Sequence, residues 1–101
     1  MAVVYQKTGS ATASGGAWSV VIPFSGTHGI CKQLSIKPNT GTTTFDVTLT
    51  VSDVVLFHAT SLTGLLNELV EIPITADATL AVANSSVDEA FTYLVSTVNE
   101  L

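Results

Sequence analysis

Apolar residues recur at every second position through most of this chain, the spacing that lines one face of a β-strand. The plainest case is Thr44 to Ser52, where Phe45, Val47, Leu49 and Val51 share one parity and Asp46, Thr48, Thr50 and Ser52 the other. Ala17 to Phe24 repeats it with Trp18, Val20, Ile22 and Phe24 inward. Pro23 cannot donate a ladder hydrogen bond, so it predicts a strand end or a sheet edge, and Pro73 does the same further on. Ile30 to Ile36 offers Ile30, Leu34 and Ile36 to one side, and Glu68 to Ile74 offers Val70, Ile72 and Ile74. Leu80 and Val82 mark a short strand over Thr79 to Ala83, and Phe91, Tyr93, Val95 and Thr97 alternate along a last one. Val54 to Ala59 reads as another strand, whose unbroken apolar run from Val54 to Phe57 predicts burial on both faces, and Ser52-Asp53 before it predicts a tight hairpin turn.

Between these runs lie turn residues: Ser25 to Gly29, Lys37 to Gly41, Thr75 to Ala78 and Asn84 to Ser86. Val87 to Ala90 allows at most one helical turn. At the amino end, Val3 to Lys7 reads as a strand, but Thr8 to Gly16 has little to bury and reads as a flexible loop or arm. Residues 1–16 are therefore expected to be an N-terminal strand and arm, and 17–101 the folded body. The strand of the arm could lie along a sheet edge or reach a neighbouring subunit. Seven to eight short strands at regular spacing imply an all-β, antiparallel β-sandwich, either a jelly roll or an immunoglobulin-like fold. The paired core cysteines of immunoglobulin domains are missing, since Cys31 is the only cysteine. Cys31 reads as a core filler.

At 101 residues and 10.5 kDa the chain has room for one core. Only 11% of residues are charged, against about 25% in an average soluble domain. Polarity comes instead from 15 threonines and 10 serines, whose neutral hydroxyls are less costly to cover than ammonium or carboxylate groups. That points to a subunit whose surface meets other subunits. Lys7, Lys32 and Lys37 are the only basic side chains beside His28 and His58, and the net charge is −5. Nucleic acid and anionic membranes are not expected as partners. No apolar run approaches the roughly 20 residues of a membrane-spanning helix. Residues 1–9 lack the pattern of a signal peptide, so synthesis in a cytoplasm is expected.

No catalytic, cofactor or metal site is expected. His28 sits in a turn and reads as solvated, while His58 closes an apolar strand and reads as a packed or interface residue. Glu68 and Glu71 fall on opposite faces of their strand and Asp88-Glu89 occupies a turn, so neither pair can flank a glycosidic bond. Asp46, Asp53 and Asp77 are too scattered for a calcium loop. Thr8-Gly9-Ser10 and Ser14-Gly15-Gly16 lack the lysine and helix of a phosphate-binding loop. Of the aromatic residues, Trp18, Phe24, Phe45, Phe91 and Tyr93 have inward parity, which leaves Tyr5 and Phe57 for a sugar platform. The candidate interface is Leu62, Leu65 and Leu66, together with Val3 and Tyr5 on the amino-terminal strand. The leucines either form an exposed protein contact or plug one open end of the sandwich.

The segment Thr63-Gly64-Leu65-Leu66-Asn67-Glu68-Leu69-Val70-Glu71-Ile72-Pro73-Ile74, followed by a closing Ala90-Phe91-Thr92 strand, resembles small β-sandwich virion proteins of tailed bacteriophages. The likeness spans about residues 17 to 98. It implies a capsid cement or decoration protein on the virion surface, made in the host cytoplasm. Such a subunit would bind major capsid protein or other virion subunits and form a homo-oligomer, a trimer before a dimer. A tail, neck or baseplate component and a lectin-like host-recognition module are the alternatives.

Overall fold

A computed structural model describes residues 2–100 of the chain. Eight strands appear in order: β1 (Ala2–Thr12), β2 (Trp18–Ile22), β3 (His28–Pro38), β4 (Thr44–Val51), β5 (Val54–Thr63), β6 (Leu66–Ile74), β7 (Ala78–Ala83) and β8 (Ala90–Glu100). One 3-10 turn, Ser14–Gly16, separates β1 from β2. The strands form two four-stranded sheets, sheet A in the order β1-β8-β3-β6 and sheet B in the order β2-β7-β4-β5. Every pairing is antiparallel. β4 pairs β5, β3 pairs β6, β2 pairs β7 and β1 pairs β8. The chain is thus one long hairpin ribbon wrapped into two sheets, which is the jelly-roll form of the β-sandwich.

The tip of the ribbon is the Ser52-Asp53 turn between Val51 and Val54. Both turn residues have positive φ, 49° and 64°. That is the type I′ geometry, whose twist matches the strands it joins. Between the sheets the inward parities meet as expected. Phe45, Val47 and Leu49 of β4 face Leu34 and Ile36 of β3 and Phe91 and Val95 of β8, all buried. Trp18 stacks on Tyr93 at 5.5 Å and tilts against Phe91 at 5.8 Å. Phe45 meets Phe91 edge to face at 5.3 Å. This aromatic chain ties β2, β4 and β8 together across the core.

Four expectations are corrected. Thr8 to Thr12 is not a loop: β1 continues through it, paired with β8 from Ala2 to Thr12. The small residues there answer to Tyr93, since a Cβ on Gly9 would lie 2.7 Å from the Tyr93 hydroxyl oxygen. Thr60 to Thr63, outside the strands expected over Val54 to Ala59 and Glu68 to Ile74, extends β5, and β6 already starts at Leu66, so only Gly64 and Leu65 connect the two. β5 is also not buried on both faces. It is an edge strand, with Val54 57% and Val55 55% exposed, because an apolar run does not reveal whether a strand is central or lateral. Finally, Ile30 points outward. A bulge between Cys31 and Gln33 inserts one residue, and this reverses the parity between Ile30 and Leu34. Pro73 does lie on an edge strand, β6, and Pro23 directly follows another, β2.

Candidate functional site: the outer face of sheet A

Strand register arranges the outward residues of sheet A in rows. Val4 lies opposite Val98, Val98 opposite Ile30, and Ile30 opposite Pro73. One apolar row therefore crosses the whole sheet, from β1 to β6. Val4 is 68% exposed, Ile30 and Pro73 are exposed and Val98 is half-buried. The adjacent row holds Gln6, Ser96, Gln33 and Leu69, and the one after it Thr8, Leu94, Ser35 and Asn67. Leu69 is 83% exposed. Gln33 donates its side-chain amide to Asn67 Oδ1 at 3.0 Å, which fixes two polar groups on this face. Lys32 is neutralised by Glu71 at 3.0 Å. Lys37 stands near one end, beside shallow depressions of about 210 and 260 Å³.

Both edges of sheet A are closed to strand addition by sequence devices. Pro73 removes a donor from β6, and β1 turns Lys7, half-buried, toward the sandwich interior. Charges pointing inward and prolines at an edge discourage another strand from docking. In sheet B, β2 has only five residues, and β5 is broken by two register shifts against β4. The surface left for contact is the sheet face.

The residues expected at an interface do not come together. Val3 is exposed near one end of β1, and Tyr5 is half-buried against the core. Leu65 is 60% exposed, but Leu66 is buried and Leu62 packs on the core. Val3 sits in the row of Gly29 and Leu66 in the row of Ile36, about 23 Å apart along a strand at ~3.3 Å per residue. The leucines thus divide: one faces solvent and two close the sandwich. The residues missed were Val4, Val98, Ile30, Leu69 and Pro73. Their signal was present in the sequence as apolar residues on the wrong parity, Val4 beside Tyr5 and Leu69 beside Val70.

The acidic side chains serve the scaffold. Glu89 is buried, and its two carboxylate oxygens accept the backbone N–H and the hydroxyl of Thr40, each at 2.8 Å. These bonds hold its pKa below the ordinary glutamate value. Asp46 accepts the Ser61 N–H at 2.9 Å and the Asn84 amide at 2.6 Å, and its pKa is lowered chiefly by the first of these. Ser61 has φ of 55°, so Asp46 braces the bulge in β5. Burial pushes the Cys31 thiol up. His58 is exposed on the outer face of sheet B, not packed, and His28 is exposed with its Nδ1 3.2 Å from the Thr27 hydroxyl. Among the described residues, no three His, Cys, Asp or Glu side chains gather as metal ligands.

Fold and face define a jelly-roll β-sandwich with one outer sheet that is low in charge and partly apolar. No family model and no curated protein matches the chain. Among solved structures it is similar to the CBM36-1 domain of a multidomain xylanase from the hindgut metagenome of Trinervitermes trinervoides. That match has 13% identity, covers 100% of this chain and 98% of the other, and has a TM-score of 0.48. It is also similar to part of dimeric latent PorU from Porphyromonas gingivalis, at 13% identity over 97% of this chain and 13% of that one, with a TM-score of 0.49. Neither likeness bears on what this chain does.

Proposed function

We propose that this chain is a structural subunit of a virion, of the capsid cement or decoration kind, which seats the outer face of sheet A against neighbouring subunits. The observation that carries the contact is the unbroken apolar row Val4, Val98, Ile30 and Pro73, with Leu69 beside it. Each buried square ångström of such surface is worth about 25 cal/mol on covering. The virion assignment itself rests on the resemblance of residues 17 to 98 to small phage β-sandwich proteins. The partner is then major capsid protein or another virion subunit, and the working form is an oligomer, a trimer before a dimer. A tail, neck or baseplate position would use the same face.

A lectin-like role has less support. Stacking a sugar calls for an open aromatic platform, and all four Phe, both Tyr and the single Trp are buried or half-buried. Sedimentation of the purified chain, alone and with phage shells that lack it, tests the proposal. A trimer or dimer that co-sediments with shells is the expected result. A monomer that ignores shells and other virion assemblies ends it.

A further inference from the structure

We infer that the outer face of sheet A pairs with the same face of a second copy of this chain, across a two-fold axis that runs along the strands. The inference rests on the reading of this face as a contact surface and names its occupant.

Charge selects that occupant. The chain carries a net charge of −5, yet none of the surplus lies on this face. Lys32 and Lys37 are matched there by Glu71 and Glu100, all with outward parity or paired to a residue that has it. Lys7, turned inward on β1, and the other six acidic residues hold the whole −5. Two copies therefore repel each other in any approach through Asp46 on sheet B, Glu68 on the β6 edge, or the turns at Asp53 and Asp77, and least when they meet through sheet A. A strongly basic or acidic partner finds no net charge on this face to match.

Register fits the face to its own copy. A two-fold axis along the strands lays β1 over β6 and β8 over β3 of the other copy, and keeps every cross-strand row above its equivalent. Val98 then meets Ile30 and Val4 meets Pro73, so the apolar row is covered by its own image. An axis across the middle of the strands would instead set that row against Ser10, Thr92 and Lys37. Gln33 and Asn67, already bonded to each other, need no partner from the second copy. Lys37 is the penultimate residue of β3, where its long stem carries the ammonium past the rim into water.

The area suffices. β1, β3 and β8 have eleven residues each, which at ~3.3 Å per residue and ~4.8 Å between four strands gives a face of about 700 Å². Two such faces bury about 1,400 Å², inside the ~1,200–2,000 Å² of stable protein interfaces. A single face that meets its own copy closes after two subunits, so the homo-oligomer is a dimer rather than the trimer that the resemblance favours.

Sedimentation equilibrium of the full chain over a concentration series should show monomer and dimer only. In NMR spectra of the same series, the methyl signals of Val4, Ile30 and Val98 should move on dilution while those of Val21 and Val55 on sheet B stay. Ile30→Glu should raise the dimer Kd at least about tenfold, and Thr50→Glu should leave it unchanged. A monomer at every concentration, a trimer, dilution shifts confined to sheet B, or a dimer indifferent to Ile30→Glu would each overturn the inference. The wild-type dilution shifts decide the matter even if the variant does not fold. Co-sedimentation with shells separates this inference from the proposed function: a monomer that still binds shells overturns the pairing alone, whereas a dimer that ignores them supports the pairing and ends the virion reading.

Discussion

The middle strands of sheet A, β8 and β3, turn Val98, Leu94 and Ile30 to the outside, whereas those of sheet B, β7 and β4, turn out Thr79, Ala81, Thr48 and Thr50. The edges are alike, since Val21 and Val55 flank sheet B as Val4 and Pro73 flank sheet A. Apolar residues exposed along an edge, such as Val54, Val55 and Leu56 on β5, sit beside the polar centre of their sheet rather than extend across it. Branched aliphatics in the centre of a face do extend across it, because neighbouring strands add their apolar surface to one contiguous patch. Sheet B has the finish of a wall that faces water, and sheet A that of a wall with something to lean on.

The severest way to break the contrast is to remove β1. As a detachable arm, residues 2–12 could go without harm. Paired along β8, they cover Tyr93 and Val95, and their loss should remove most of the ~5–15 kcal/mol that a domain of this size possesses. Circular dichroism during thermal melting would show no cooperative transition. A smaller effect is expected from one charge placed on each sheet. Ile30→Glu or Leu69→Glu should weaken association with shells by about 2–4 kcal/mol, while Thr50→Glu on sheet B leaves it unchanged and all three keep the wild-type spectrum. Equal losses from both sheets would erase the distinction drawn here.

Acid should act through the loops rather than through either face. The folded-state pKa of Glu89 is depressed by Thr40, so its contribution to stability is complete above the ordinary carboxylate range. That contribution declines as pH falls below about 4 and through the depressed value. Melting temperature against pH should therefore drop more steeply in wild type than in Glu89→Gln. The smallest effect belongs to the ribbon's tip. Asp53 has a φ of 64°, and Asp53→Gly should gain up to about 1 kcal/mol in denaturant unfolding, since glycine suits the second position of a type I′ turn.

Much of this architecture was legible in the chain. Alternation at Phe45, Val47, Leu49 and Val51 named β4 outright, and Ser52-Asp53 named its turn. Pro73 and Pro23 located edges because a missing donor has one structural consequence wherever it falls. The face was harder to read. Ile30 was assigned inward because a bulge leaves no mark in a list of residues, and its parity depends on one unpaired neighbour, Lys32. Leu66 and Leu65 looked equivalent until the start of β6 at Leu66 fell between them. Thr8 to Thr12 looked empty because its partner, not its own side chains, supplies the reason to be a strand: Tyr93 fills the space beneath Gly9.

The wrapped ribbon also sets the order in which the molecule can come together. Its tip joins Val51 to Val54, three positions on, whereas Ala2 must find Glu100 across nearly the whole polypeptide, and loop-closure entropy grows with that separation. Zippering from the tip outward leaves the β1–β8 union until last and places the chain among the millisecond-to-second folders of non-local β topology. During that interval β8 carries an unclaimed flank, which a sister chain emerging nearby could occupy before β1 arrives.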